Sequence, residues 1–486
     1  MGSDVKSASD SKERLIVASI VLGMFMTSLD ATIVSVALPS MAEYFFGSGS
    51  TDTGTISWIL LAYTLTVCSF VMLWGKIGTN VGYKRVFILG IAIFTFTSLV
   101  IGLTGLMPSF KSIGLVIAMR AVQGLGAGMA MGMSMAMVSS YLKRNRGLAM
   151  SKVSLAAALG TACGPAVGGI LTHFDWSYIF FINVPIGIFC ILLSSRAMSG
   201  VETPSERKGI DAFGALLLFV MLFSFILYLN RGGDMGWGSA AGIGLVALTV
   251  LAAAGLFLWE RRSSDPIVPP SLIRNRSIIS ANLACLSLFG AMAGSYLLVP
   301  YYLEYVMGYS QLEYGVALVG IIMIANSLGM LAVSPFVGKV ADRTGRNRPL
   351  ISAGCLVAAL GFFMLSRLDQ NSEIWLVLAS LFVMGVGVGM ALVASTNLAF
   401  SHIKEGEDGQ VSGLINTFRQ AGSSLGVSIM QLVFVSSITA AGVALAVHPL
   451  FPGFGPAFLA ATGMAVLAFL ISLFAKDGPR RTSDEV

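Results

Sequence analysis

Charge, histidine and patterned cysteine are what this sequence has little of, and each shortage removes a class of function. Asp, Glu, Lys and Arg make up only 11% of its 486 residues, where a soluble domain carries about 25%. A chain this poor in charge has no polar shell with which to hold itself in water. Its three histidines, His173, His402 and His448, stand between apolar runs and no HExxH helix is written, so a histidine-based metal centre is excluded. The five cysteines, Cys68, Cys163, Cys190, Cys285 and Cys355, fall singly inside apolar runs. Without paired spacing they build neither a disulfide framework nor a zinc site, and they read as small apolar helix contacts. The phosphate loop GxxxxGKS/T is absent as well, which leaves the chain no means of its own to use ATP. No cofactor is implied, and work done by this chain would have to draw on an ion gradient.

What is there is apolar. Hydrophobic residues form 56% of the chain, in successive runs of about 20 residues, the length that crosses a bilayer as a helix. Fourteen such runs can be read, and none of the short alternating strands of a membrane barrel. The expected fold class is an all-α polytopic membrane protein with fourteen transmembrane helices. Basic residues stay on the cytoplasmic side of a membrane. With the N-terminus inside, the Lys and Arg between the runs all fall on inner segments except Lys111, Arg231 and Arg367. Both termini are therefore expected in the cytoplasm, the chain being a multi-pass protein of the plasma membrane. The net charge of +6 then records topology, and nucleic acid is excluded as a partner. The first eleven residues are polar and no small-residue cleavage site follows the first run, so that run is expected to stay in the mature protein.

The chain also writes several segments twice, about 262 residues apart. GKIGTNVGYKR from Gly75 returns as GKVADRTGRNR from Gly338, and QGLGAGMA from Gln123 as MGVGVGMA from Met384. Gly160 and Gly164 return as Gly422 and Gly426, and LPSMAEYF from Leu38 as VPYYLEYV from Val299. Duplicated halves in so apolar a chain indicate a transporter built from two repeats around a central path. The expected organisation is a tail over 1–14, a six-helix bundle over 15–200, a linker with two inserted helices over 201–276, a second six-helix bundle over 277–475, and a tail over 476–486.

An ionisable side chain in hydrocarbon costs several kcal/mol and needs a reason. One acid, Asp30, falls inside a run, together with two bases, Arg120 and Arg419. Span 1 ends near Leu38 and span 4 begins near Ser112, so Asp30 and Arg120 each lie about 12 Å below the same surface at 1.5 Å per residue. Two opposite charges at one depth form a candidate proton-coupling pair. Burial favours a neutral carboxyl and a nearby guanidinium the charged one, so protonation could follow water access and a substrate cation could compete with the proton. A static buried ion pair is the alternative. At the repeat offset neither charge has a counterpart, which places coupling in the first bundle. Arg419 is deep enough to reach a substrate, or to snorkel as a structural group. Glu304, whose repeat mate is Glu43, is expected at a solvated rim. Met129, Met133 and Met137 share one helical face and offer an adaptable apolar wall for ligands, or core filler. Gly160, Gly164, Pro165, Gly168 and Gly169 let span 5 approach its neighbours and bend, a candidate hinge.

These segments resemble the major facilitator superfamily along nearly the whole chain. GKVADRTGRNR is similar to its cytoplasmic loop signature, RAVQGLGAG from Arg120 to its proton-coupling motif, and GTACGPAVGG from Gly160 to its antiporter motif. LDATIVSVALP from Leu29 and WSYIFFINVPIG from Trp176 resemble the fourteen-span drug:proton antiporter family. The resemblance implies a monomer of two six-helix bundles plus two inserted helices, exchanging protons for small lipophilic, often cationic compounds. Importers, uniporters and exporters of one metabolite or lipid share that fold. It further implies gating loops formed by Gly75, Gly82 and Arg85, and by Gly338, Asp342, Arg343, Gly345 and Arg346. The first loop departs from the signature, with Thr79 and Asn80 where Asp and Arg are usual; Ser35 and Ser177 replace a common Asn and Arg.

Because only the second loop keeps its acid, Asp342→Asn is expected to slow transport at least tenfold and Thr79→Ala to change it less than twofold. Initial transport rates in vesicles holding equal amounts of each variant check this, equal losses contradicting the asymmetry.

Overall fold

Each apolar run satisfies its own backbone inside one helix, the arrangement open to a chain with no water to bond to. The computed structural model describes residues 2–47, 53–141, 146–199, 211–263, 275–309, 314–401, 408–441 and 451–477. No strand occurs among them. Fourteen helices are long and apolar enough to cross a membrane. They are α1 (Gly2–Phe46), α2 (Trp58–Val81), α3 (Tyr83–Leu106), α4 (Ile113–Tyr141), α5 (Arg146–Phe174), α6 (Tyr178–Ala197, with an irregular turn at Ile182), α7 (Ala212–Met235), α8 (Ala240–Arg262), α9 (Arg276–Tyr301), α10 (Gly315–Thr344), α11 (Asn347–Ser366), α12 (Ile374–Ser401), α13 (Asp408–Ala441) and α14 (Phe451–Ser472). Odd-numbered helices start at the end of the molecule rich in Lys and Arg, here the basic end; even-numbered ones start at the far end.

Two of the predicted loop glycines stop helices where an L side chain would be strained. Gly82 (φ 106°) ends α2 and donates its N–H to the Gly78 carbonyl at 2.9 Å; Gly345 (φ 66°) ends α10 and donates to Ala341 at 2.8 Å. Both are equivalent positions of the duplicated loop. Arg85, Arg343 and Arg346 are exposed beside them, and Gly75 and Gly338 face open space. The side chains of Asp342 and Thr79 lie outside the described residues, as do most of the two linkers flanking α7 and α8.

The duplication is carried in the packing. α1 packs on α5, α2 and α3 on α4, and α6 on α1 and α3; α9 on α13, α10 and α11 on α12, and α14 on α9 and α11 repeat the scheme. The contacts coincide to the residue. A Cβ added to Gly90 would meet the Gly126 carbonyl at 2.7 Å, and one added to Gly354 would meet that of Gly387 at 2.7 Å. Likewise Gly160 closes on the Phe25 carbonyl, and its mate Gly422 on that of Leu286. Small residues let backbones touch where lipid offers no hydrophobic drive. Between the bundles Gly169 of α5 meets Gly320 of α10, each without room for a Cβ.

α7 and α8 form a hairpin outside this scheme. Asp211 caps α7 by accepting from Gly214 N at 2.8 Å, and the same Oδ1 accepts from Trp259 Nε1 of α8 at 2.7 Å. α7 packs on both α2 and α13. At its far end Asn230 accepts from Trp58 Nε1 at 2.8 Å and donates to Ser57 at 3.1 Å. α8 touches chiefly α7 and turns Val250 and Leu251 outward, as lipid contact requires.

Two sequence expectations are corrected here. α1 does not end near Leu38 but runs through Pro39 to Phe46, because its last turns are anchored. Tyr44 donates to the Thr104 carbonyl at 3.0 Å, and the Tyr44 and Phe45 rings lie 5.4 and 5.7 Å from Trp176. Glu304 is not at a solvated rim but 3% exposed. Its segment, Tyr302–Val306, is a π turn closed by Met307 N to the Tyr302 carbonyl at 3.1 Å, whereas Glu43 stays on a regular helix and is exposed. The wider turn rotates Glu304 inward.

Overpacking a tight helix contact costs about 1–3 kcal/mol. Gly422→Val and Gly426→Val are therefore expected to lower the melting midpoint in detergent by several degrees, while Gly244→Ala, which enters open space, leaves it unchanged or higher. Thermal scans of the purified variants check this.

Candidate functional site

Four helices of the first bundle bring their few polar side chains to one point. Asp30 of α1 and Arg120 of α4 are both fully buried, with Arg120 Nη1 2.6 Å from Asp30 Oδ2. The spacing of three places Gln123 on the face of α4 that carries Arg120, and its Oε1 accepts a second bond from Nη1 at 2.6 Å. Arg120 Nε donates to the Ile59 carbonyl of α2 at 3.0 Å, and its guanidinium lies over the Tyr63 ring at 4.3 Å. The other carboxylate oxygen, Oδ1, accepts from Asn183 Nδ2 of α6 at 2.9 Å and, at 3.5 Å, from Gln123 Nε2. Gln123 also donates to Ser98 of α3 at 2.6 Å.

Asp30 is thus held by a cation and two amides, in a place where removing one partner of a buried pair costs about 3–5 kcal/mol. Arg120 Nη2 and Asn183 Oδ1 have no hydrogen-bond partner among the described residues, so the network has capacity to rearrange around a proton or a water. The arrangement can store a proton on Asp30 only by weakening its bond to Arg120. It leaves no open face for a substrate cation to meet the carboxylate directly, contrary to the competition expected from sequence.

The sequence reading named Asp30 and Arg120 but not Gln123, Asn183, Ser98 or Tyr63. Both amides stood inside segments already singled out, RAVQGLGAG and INVPIG, and the spacing from Arg120 to Gln123 was a usable signal. Ser35 plays no part in the network; its hydroxyl donates to the Thr32 carbonyl at 2.7 Å.

The other predicted residues fall elsewhere. Met129, Met133 and Met137 are 2%, 0% and 0% exposed, packed with Phe87, Ile91 and Phe94 inside the first bundle. They are core filler rather than a ligand wall, since a stripe of spacing four marks whichever face is buried. Met131, on another face of α4, instead joins a cluster with Phe70 of α2 and Phe418 of α13 that bridges the bundles. Gly160, Gly164 and Gly168 seat α5 on α1 against Phe25, Thr32 and Ile33, while Gly169 faces α10. α5 is continuous through Pro165. Arg419 lies over the Phe289 ring at 4.6 Å, in the second bundle and apart from Asp30. The run GSSLG at 422–426 has the spacing of a hydrolase nucleophile elbow, but it is mid-helix, and Ser424 donates to Thr64 of α2 at 2.6 Å.

Comparison with known proteins agrees with this architecture. Over 424 residues the chain is 30% identical to the multidrug resistance protein Stp of Mycobacterium tuberculosis, covering 86% of this chain and 75% of that one. It is 27% identical to a tetracenomycin C resistance and export protein of Streptomyces glaucescens, over 86% of this chain and 76% of the relative. With the cephamycin export protein CmcT of Amycolatopsis lactamdurans it shares 29% identity over 96% of this chain and 93% of the other. The model of the Major Facilitator Superfamily matches residues 20–427, and with its two like bundles and fourteen membrane helices the chain belongs to that superfamily of membrane transporters.

Proposed function

We propose that this protein exports small lipophilic compounds in exchange for protons, by alternating access, across the plasma membrane. The observation that carries the proposal is the fully buried Asp30–Arg120 pair with its two amide partners. Relatives that export antibiotics support the direction of transport. The basic end is assigned to the cytoplasm, with both termini there, by the excess of Lys and Arg, and the protein acts as a monomer.

In this mechanism a proton arriving from outside neutralises Asp30. The carboxylic acid then attracts Arg120 far less, and the guanidinium keeps Gln123 and the Ile59 carbonyl. α1 is thereby freed from α4 and α6, and the bundles can shift about the glycine contact between α5 and α10. Opening toward the cytoplasm releases the proton and restores the pair while substrate enters. No cofactor is needed, because the proton gradient supplies the energy.

Asp30→Asn keeps the side-chain size and removes the titratable charge. In proteoliposomes with an imposed pH gradient, uphill export is expected to fall to the level of empty vesicles while downhill exchange persists. Gln123→Ala should reduce uphill export several-fold without abolishing it. Unchanged uphill export by the Asp30→Asn protein would refute the reading, and accumulation on the cytoplasmic side would establish an importer instead.

A further inference from the structure

Asp30 and Arg120 satisfy each other, so the pair presents no net charge to a substrate. Away from the helix ends, the remaining base among the described residues of the membrane helices is Arg419, and its surroundings are of a different kind. Its guanidinium lies 4.6 Å from the Phe289 ring of α9, one helical turn along from Cys285, whose thiol lies 2.8 Å from the Ser395 hydroxyl of α12. Among the described residues no carboxylate or carbonyl accepts from it. The side chain is partly exposed, yet Cys285 and Phe289 are only 4% and 8% exposed and Ser395 5%. The face of α9 that Arg419 meets is therefore buried within the protein. The neighbouring residue, Phe418, packs against the same buried cluster as Phe70 of α2 and Met131 of α4, which sets this stretch of α13 at the seam between the bundles.

The register across the seam gives the depth. Ser424 donates to Thr64, and Ile59, whose carbonyl holds Arg120, is five residues further along α2 toward the far end. Arg419 is five residues from Ser424 toward the basic end. At 1.5 Å per residue it lies about 15 Å nearer the basic end than the Ile59 contact. Glu304, a buried carboxyl whose Oε1 has no partner among the described residues, stands fifteen residues beyond Phe289, about 22 Å further toward the far end. An unpaired guanidinium lying over an aromatic ring suits a planar acid attached to an apolar body: the fork binds carboxylate or sulfonate oxygens, and the ring takes the body.

We propose that Arg419 is the substrate-charge recognition site of this transporter, and that its cargo is a lipophilic acid carrying a carboxylate or sulfonate, not the lipophilic cation that the family resemblance implies. The inference rests on the export reading above and fixes the class of compound exported. Entry is from the cytoplasm, the side toward which Arg419 lies relative to the Asp30–Arg120 pair.

Three fluorescent probes of one ring system and different charge test this: 9-anthracenecarboxylate, its methyl ester and 9-aminomethylanthracene. Binding to the purified full-length protein in detergent, with no gradient, is expected to be at least tenfold tighter for the carboxylate than for the amine, with the ester between them. Arg419→Gln should bring the carboxylate to the level of the ester, and Arg419→Lys should keep part of the preference. Equal or tighter binding of the amine by the unmodified protein overturns the proposal, and this arm needs no variant to fold. Retention of the carboxylate preference by folded Arg419→Gln protein overturns it too. Gradient-driven export of the same probes in proteoliposomes separates the two readings. Carboxylate preference without proton-driven movement refutes the antiport mechanism alone; proton-driven export of the amine in preference to the carboxylate refutes the substrate class alone.

Discussion

The cost of a charge without a partner in hydrocarbon organises this molecule. It explains why the membrane helices hold so few ionisable groups, and why Asp30 and Arg120, drawn from α1 and α4, come within 2.6 Å of each other. It also explains the company they keep. Gln123, Asn183, Ser98 and the Ile59 carbonyl are gathered from four different helices, so that the pair is a tie across most of the first bundle. A change in one proton there would alter the attachment of α1 to everything around it, as the coupling mechanism proposed above requires.

Backbone and charge have diverged since the chain was duplicated. The second bundle repeats the helix order and the glycine contacts of the first, down to Gly354 on Gly387 where Gly90 lies on Gly126. Close backbone approach tolerates no side chain, so those positions are restrained by geometry alone. The charges are not repeated: positions equivalent to Asp30 and Arg120 carry Ala291 and Leu381, both fully buried. In their place the second bundle has Arg419, against Phe289. The two halves therefore share a scaffold but not their buried charges, which in the reading proposed above would let one half handle protons and the other cargo.

The features legible in the sequence were those with a large energetic signature. Helix number follows from apolar length, the duplication from repeated glycines, and the Asp30–Arg120 pair from the rarity of charge in such runs. Asn183 and Gln123 were not read as site residues because an uncharged amide in a helix costs little and says nothing of its partner. For Met129, Met133 and Met137 both a ligand wall and core filler fit the sequence, because their spacing identifies a buried face without saying what covers it; Phe87 and Phe94 do. Glu304 was placed by symmetry with Glu43, and symmetry failed where five residues wind as a π turn. Spacing reveals periodicity, and a local change of winding breaks the inference from one repeat to the other.

The inserted hairpin makes the two flanks of the molecule unequal. α7 lies along α2 and α13 and is tied there by Asn230 to Trp58 and Ser57. No described helix lies across the opposite junction, where α5 and α10 meet through Gly169 and Gly320. One junction is roofed and the other faces the acyl chains bare. For an exporter of the kind proposed above, a compound dissolved in a leaflet would consequently meet the boundary between the bundles uncovered on the α5–α10 side and covered by α7 on the other.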